Sequence, residues 1–172
     1  MDSVGDELDA WVARMDGVDP QVEAARQRIG RISRAFTELL HAVAREQGIS
    51  VGDWEALSVL VRDPGPCAPS TLARSLGLTA GTVTTRLRRL TGAGLVEQVP
   101  DADGRSRPVR LTDAGYAAWR DATAARTRAE AELFGVLSAS DLAATNALLG
   151  RLLERLESEV GPVSRHDVTG AS

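Results

Sequence analysis

The feature that most constrains this chain is a pair of short helix-forming segments separated only by Gly77-Leu78. The first runs from Ser70 to Leu76, with Leu72, Ala73 and Leu76 apolar. The second opens on Thr79, a residue suited to capping, and runs to Thr91 with Val83, Leu87 and Leu90 on one face. Gly92 and Gly94 end it. So short a link makes the two helices neighbours, and their apolar faces need a third element to cover them. Upstream, Ser50-Val51-Gly52-Asp53 has the form of a capping box and opens a helix through Trp54, Leu57, Val59, Leu60 and Val61. The segment from Pro64 to Pro69 holds three prolines and a glycine and reads as a loop. Downstream, Leu95 to Val99 alternates as a strand, Pro100 to Ser106 is a polar turn, and Pro108 to Leu111 returns as a second strand.

Helices flank this lobe on both sides. Leu8, Trp11, Val12 and Met15 predict an extra amphipathic helix over 6–16, stopping near Gly17 to Pro20. Val22, Ala25, Ile29, Ile32, Phe36, Leu39 and Val43 recur at spacings of three and four, a seam that runs to Gly48. Thr112 caps a further helix carrying Tyr116 and Trp119, which reaches about Leu137. A second capping box, Ser138 to Asp141, opens a last helix rich in leucine, from Leu142 to Leu156. The tail from 161 to 172 reads as disordered. The expected organisation is therefore N-terminal helices over 1–48, a lobe over 50–111, C-terminal helices over 112–160 and the tail. The fold class is mainly α with a small β-hairpin (α+β). The two stripes need partners, within the chain or from a second copy. Ile29, Ile32, Phe36, Leu39, Leu149, Leu152 and Leu156 are the expected homodimer contacts.

Helix, loop, helix, tight turn, helix and hairpin is the order of a winged helix-turn-helix, which predicts a partner of double-stranded DNA. Net charge is −4, which alone argues against a polyanion. The distribution reverses that. Between Ser70 and Leu111 there are seven Arg (74, 86, 88, 89, 105, 107, 110) against Glu97, Asp101 and Asp103, a local excess of +4. Every basic residue of the chain is Arg, which suits bidentate contact with phosphate and guanine. On the second helix of the pair, Gly81, Thr82, Thr85, Arg88 and Arg89 point away from the buried stripe, toward where base edges would lie. Ser70 and Thr79 belong to the same DNA-facing set. Arg105 and Arg107 at the hairpin tip suit phosphates or the minor groove. Arg86 sits on the flank of its helix, beside the protein body.

At these residues the chain resembles the MarR family of transcription regulators. Asp103-Gly104-Arg105 followed by Leu111-Thr112-Asp113-Ala114-Gly115 is similar to that family's wing pattern, D-x-R then LT-x-x-G. Leu72-Ala73, Thr82 to Leu87 and Gly94-Leu95-Val96 fall in the matching register. The likeness extends over roughly Val22 to Leu156. It departs at Gly104, where Arg is frequent. The resemblance implies a homodimer with interlaced terminal helices, a near-palindromic operator and repression. It also implies a small anionic aromatic ligand. The urate-responsive branch is similar in having an added N-terminal helix, and its pattern falls here on Trp11, Glu55 and Arg86, with Glu55 where an Asp is usual.

Other functions fit the residues less well. His41 and His166 stand far apart, and no Cys/His cluster, nucleophile elbow or phosphate loop occurs, so no catalytic residue, metal or cofactor is expected. A single cysteine, Cys67, fits the reducing cytoplasm, and no apolar run approaches the ~20 residues of a membrane span. Two alternatives remain: a redox-responsive regulator acting through Cys67, and a winged helix serving as a protein-interaction module without DNA.

Overall fold

A computed structural model describes residues 2–100 and 107–161 of the chain. The order of elements is α1 (Ser3–Val12), α2 (Pro20–Glu46), α3 (Val51–Arg62), α4 (Pro69–Leu76), α5 (Ala80–Gly92), β1 (Val96–Gln98), β2 (Val109–Leu111), α6 (Asp113–Phe134) and α7 (Ala139–Val160). This is the expected mainly α architecture with one antiparallel hairpin. The chain forms two compact units that divide inside α2, after Leu40. The sequence placed the boundary at 48, where glycine stops the helix.

In the N-terminal unit, α1 lies three residues earlier than its apolar spacing suggests. The reason is its cap: the Asp2 carboxylate accepts from the Gly5 amide at 2.7 Å and opens the helix at Ser3. Its last expected turn unwinds into i→i+3 bonds, Arg14 N to Trp11 O and Met15 N to Val12 O. Val4 and Ala24 are buried, and ion pairs join Asp2 to Arg28 and Glu7 to Arg31. Ile29 and Ile32 on α2 are exposed, while Phe36 and Leu39 are half-buried.

The second unit is built on α3. Leu57 and Leu60 are buried against Leu72 and Leu76 of α4, Val83, Leu87 and Leu90 of α5, and Val96 and Val109 of the hairpin. The helix ends follow the caps read from sequence. Ser50 with Asp53 and Ser138 with Asp141 both form capping boxes, and Thr79 accepts from the Thr82 amide. Gly77 closes α4 at φ +65°, a conformation that only glycine adopts without strain, and so sets the tight turn into α5. The proline-rich segment, read as a plain loop, contributes one more rung to the hairpin. Cys67 N donates to Val109 O at 2.8 Å and Val109 N donates to Cys67 O at 2.9 Å. Within the hairpin Glu97 faces Arg110, and the two are ion-paired at 2.6 Å.

Two tryptophans join α3 to α6 in a reciprocal circuit. Trp54 Nε1 donates to Thr123 Oγ1 at 2.8 Å, and that hydroxyl donates to Trp119 O. Trp119 Nε1 donates to Ser58 Oγ at 3.0 Å, and that hydroxyl donates to Trp54 O. Helix α7 has no buried residue, and Leu148, Leu149, Leu152, Leu153 and Leu156 are all exposed. No single helix among the described residues is long and apolar enough to cross a membrane.

The LT-x-x-G run is explained by this packing. Thr112 N donates to Leu95 O, the Thr112 hydroxyl donates to Gly94 O at 2.7 Å, and the same oxygen accepts from the Gly115 amide at 3.0 Å. Helix α6 therefore starts directly on the entry to β1. A Cβ at Gly115 would lie 2.0 Å from Leu95 O and 2.9 Å from Leu111 Cδ1. Gly115→Ala is expected to cost more than about 2 kcal/mol, because the obstacle is backbone that cannot swing aside. A urea denaturation midpoint within experimental error of the wild type would contradict this.

Candidate nucleic-acid interface

Helix α5 is divided lengthwise. Val83, Leu87 and Leu90 are buried, whereas Gly81, Thr82, Thr85, Arg88 and Arg89 are exposed. Ser70 on α4 and the cap residue Thr79 are exposed too. The Thr79 and Thr82 hydroxyls lie 2.8 Å apart, and Arg88 Nη2 donates weakly to Thr85 Oγ1 at 3.4 Å. Arg88 and Arg107 line one cleft of about 430 Å³ between α5 and the hairpin, together with Thr84, Thr91 and Gln98. The structure thus brings the exposed face of α5 and the base of the wing together. Arg105 lies outside the described residues, as do Asp103, Gly104 and the tail over 162–172.

Two arginines of α5 turn back into the protein. Arg86, one residue past the exposed Thr85, places Nη1 3.7 Å from Glu55 Oε2. That nitrogen is buried and has no hydrogen-bond partner among the described residues. Its guanidinium also lies against Gly52, where a Cβ would fall 2.3 Å from Nη2 and 2.7 Å from Cζ. Burial pushes the Glu55 carboxyl above its ordinary value, and the positive charge of Arg86 and the neighbouring His41 offset this only in part. Arg89 pairs with Asp53 of the α3 capping box and donates to Ser50 Oγ at 3.1 Å. Its Cα phase faces outward, as read from the sequence, but the side chain is long enough to fold back. Ser50, Gly52 and Asp53 were not among the expected site residues. The available signal was the i, i+3 pair Arg86/Arg89 set against the i, i+2 pair Asp53/Glu55.

Trp11 does not share this cluster's unit. In the N-terminal unit its indole Nε1 donates to Glu23 Oε1 at 3.0 Å. Glu23 is buried and also accepts from Arg26 Nη2 at 2.6 Å, Arg26 Nε at 2.9 Å and Gln27 Nε2 at 2.9 Å. Cys67 is buried, and burial together with the negative Asp63 pushes its thiol above the ordinary range. The exposure and thiolate character of a reactive cysteine are both lacking there.

This arrangement is a helix with one face in the core and one polar, Arg-bearing face exposed beside a hairpin. Residues 47–106, which span α3 to the wing, match the MarR family model. The HTH-type transcriptional regulator PecS of Dickeya dadantii (strain 3937) is 27% identical over 156 residues, covering 89% of this chain and 94% of PecS. Over this stretch the chain is similar to the MarR family of transcription regulators. The curated relative it resembles is a transcriptional regulator of the helix-turn-helix type. Wild-type MarR from E. coli superposes with a TM-score of 0.64 at 25% identity, covering 74% of this chain and 94% of MarR. A mutant of S. aureus MepR, solved bound to an oligodeoxyribonucleotide, superposes with a TM-score of 0.61 at 22% identity, covering 77% and 97%. In this chain the LT-x-x-G glycine is required by its contact with Leu95.

The Glu23 clip gives a pH dependence with a definite sign. Hydrogen bonds from Arg26, Gln27 and Trp11 hold its carboxyl down at about 2, against an ordinary value of 4.5. A depressed carboxyl stabilises the folded state fully above its unfolded pKa and loses that contribution as pH falls toward its folded one. Amide exchange in α1 is therefore expected to be protected at pH 6 and to speed up, relative to α5, between about pH 4.5 and 2. Asp2, which caps α1 and is likewise held at about 2 by Arg28, titrates in the same window, so Glu23→Gln should remove part of that pH dependence; an unchanged profile in the variant would refute the clip.

Proposed function

We propose that the protein is a repressor that binds a near-palindromic operator as a homodimer, inserting α5 into the major groove and the wing into the minor groove. The single observation that carries the reading is the lengthwise division of α5. Gly81, Thr82, Thr85 and Arg88 are exposed on a helix whose opposite face is rigidly buried. Small, hydroxyl and guanidinium groups at those positions suit base edges and flanking phosphates. Arg107, and Arg105 beyond it, would grip the backbone or the minor groove. The MepR relative bound to an oligodeoxyribonucleotide shares this fold. A protein-interaction module would need no such arginine-bearing face. A cytoplasmic location belongs to the same reading.

Dimerisation is supported by α7. A 22-residue helix with no buried residue and a stripe of exposed leucines is left uncovered by the described residues of its own chain. A second copy covers it by symmetry, and a two-fold dimer addresses two half-sites about 34–36 Å apart. Leu149, Leu152 and Leu156 would form this contact, and Ile29, Ile32, Phe36 and Leu39 would extend it. The test combines light scattering with selection from random duplexes. The wild type is expected to be dimeric and to select a near-palindrome, and Leu149→Glu/Leu152→Glu to lose both properties. A double variant that remains dimeric and keeps the same selected sequence would refute the assignment.

Release by a small anionic aromatic ligand at Arg86 and Glu55 is part of the proposal. Its support is the buried guanidinium nitrogen of Arg86, on the helix that reads DNA, which lacks a hydrogen-bond partner among the described residues. Ligand and DNA must then weaken each other by the same factor, on the order of 1–3 kcal/mol. Titration calorimetry with urate and salicylate, beside mobility shift of the operator complex, should show both effects in the wild type and neither in Arg86→Gln. Undiminished ligand binding by that variant would exclude this site.

A further inference from the structure

We propose that Asp53 is a positioning residue for DNA recognition and that Arg89 serves it by reaching back to α3, not as a contact to DNA. The proposal rests on the reading of α5 as the recognition helix. The two oxygens of the Asp53 carboxylate divide their work. Oδ2 accepts from Ser50 N at 3.1 Å and Ser50 Oγ at 2.7 Å, closing the capping box of α3. Oδ1 accepts from Arg89 Nε at 3.2 Å and from Arg89 Nη2. Ser50 Oγ receives a further bond from Arg89 Nη2. One buried carboxylate, 5% exposed as a residue, thus holds both the start of α3 and the C-terminal half of α5.

Beside it runs the second link, Arg86 to Glu55. Arginines at i and i+3 on α5 meet carboxylates at i and i+2 on α3. The buried stripe of Val83, Leu87 and Leu90 fixes how deeply α5 sits. Apolar packing is non-directional and permits small rotations about the helix axis. The directed, charge-assisted bonds from Arg89 to Asp53, with the Arg86–Glu55 ion pair beside them on the same flank, oppose that rotation. Rotation matters because Thr85 and Arg88 lie on the adjacent exposed face, and base readout depends on hydrogen-bond geometry. Loss of the link would blur discrimination between sequences while leaving phosphate contacts intact.

The capping box supplies a matched pair of variants. Glu and Gln both serve at this position of a capping box, so Asp53→Glu and Asp53→Gln differ from each other only in charge. Affinities would be measured for the selected operator and for a random duplex of equal length across a salt series, with thermal unfolding checking that each variant folds. Asp53→Gln and Arg89→Gln are expected to lower the ratio of specific to random affinity roughly tenfold. Their double variant should do no worse than either alone, and Asp53→Glu should restore the ratio. The slope of log affinity against log salt should stay that of the wild type in all four, whereas a lost phosphate contact lowers it by about 0.9. A reduced slope in Arg89→Gln, or a ratio unaltered in both single variants, overturns the proposal. If Asp53→Gln does not fold, Arg89→Gln and its slope decide alone. A wild type that prefers no duplex over random DNA would instead overturn the reading of α5 as the recognition helix.

Discussion

The burial of Val83, Leu87 and Leu90 against Leu57 and Leu60 is the interaction on which the remainder depends. Each such side chain contributes on the order of 1.5–3 kcal/mol when fully buried, whereas the attraction within a buried ion pair is largely offset by the desolvation of its charges. Apolar packing therefore decides which face of α5 is hidden, and the exposed face follows by elimination. The ion pairs at Arg86 and Arg89 act afterwards, on orientation. This hierarchy separates the residues that make the fold from those that aim it.

Most of the fold was legible in the sequence because its signals are local. Capping residues, apolar spacing and the Gly77 turn each act over a few residues, and the observed helices start where Ser50, Thr79, Thr112 and Ser138 place them. What escaped involves partners distant along the chain. Cys67 sits among prolines, which suppress any strand signal, yet it pairs with Val109 forty-two positions later. Helix α1 opens early because Asp2 caps it before the apolar stripe begins. The phase of α5 placed Arg89 outward correctly at its Cα but could not register a flexible side chain reaching back to Asp53. The buried Glu23 carries no signal of burial until Trp11, Arg26 and Gln27 are seen to converge on it.

The LT-x-x-G motif gains a physical meaning from the same comparison. Threonine and glycine there are two halves of one joint, the hydroxyl bridging Gly94 to the start of α6 and the missing Cβ admitting the Leu95 carbonyl. The wing and the first C-terminal helix are thereby fixed to each other at a single point, so the hairpin inherits its direction from α6 as much as from α5.

The reciprocal circuit between α3 and α6 has an optical consequence. The chain contains three tryptophans. Two of them, Trp54 and Trp119, form that circuit, each indole bound to a hydroxyl whose own proton goes to the other's helix. Sliding of one helix along the other breaks both indole bonds together, so the emission of the two rings must shift in concert. With Trp11 in the separate N-terminal unit, its replacement by phenylalanine would leave a chain whose tryptophan emission comes from the α3–α6 joint alone, a label-free gauge of whether that joint moves.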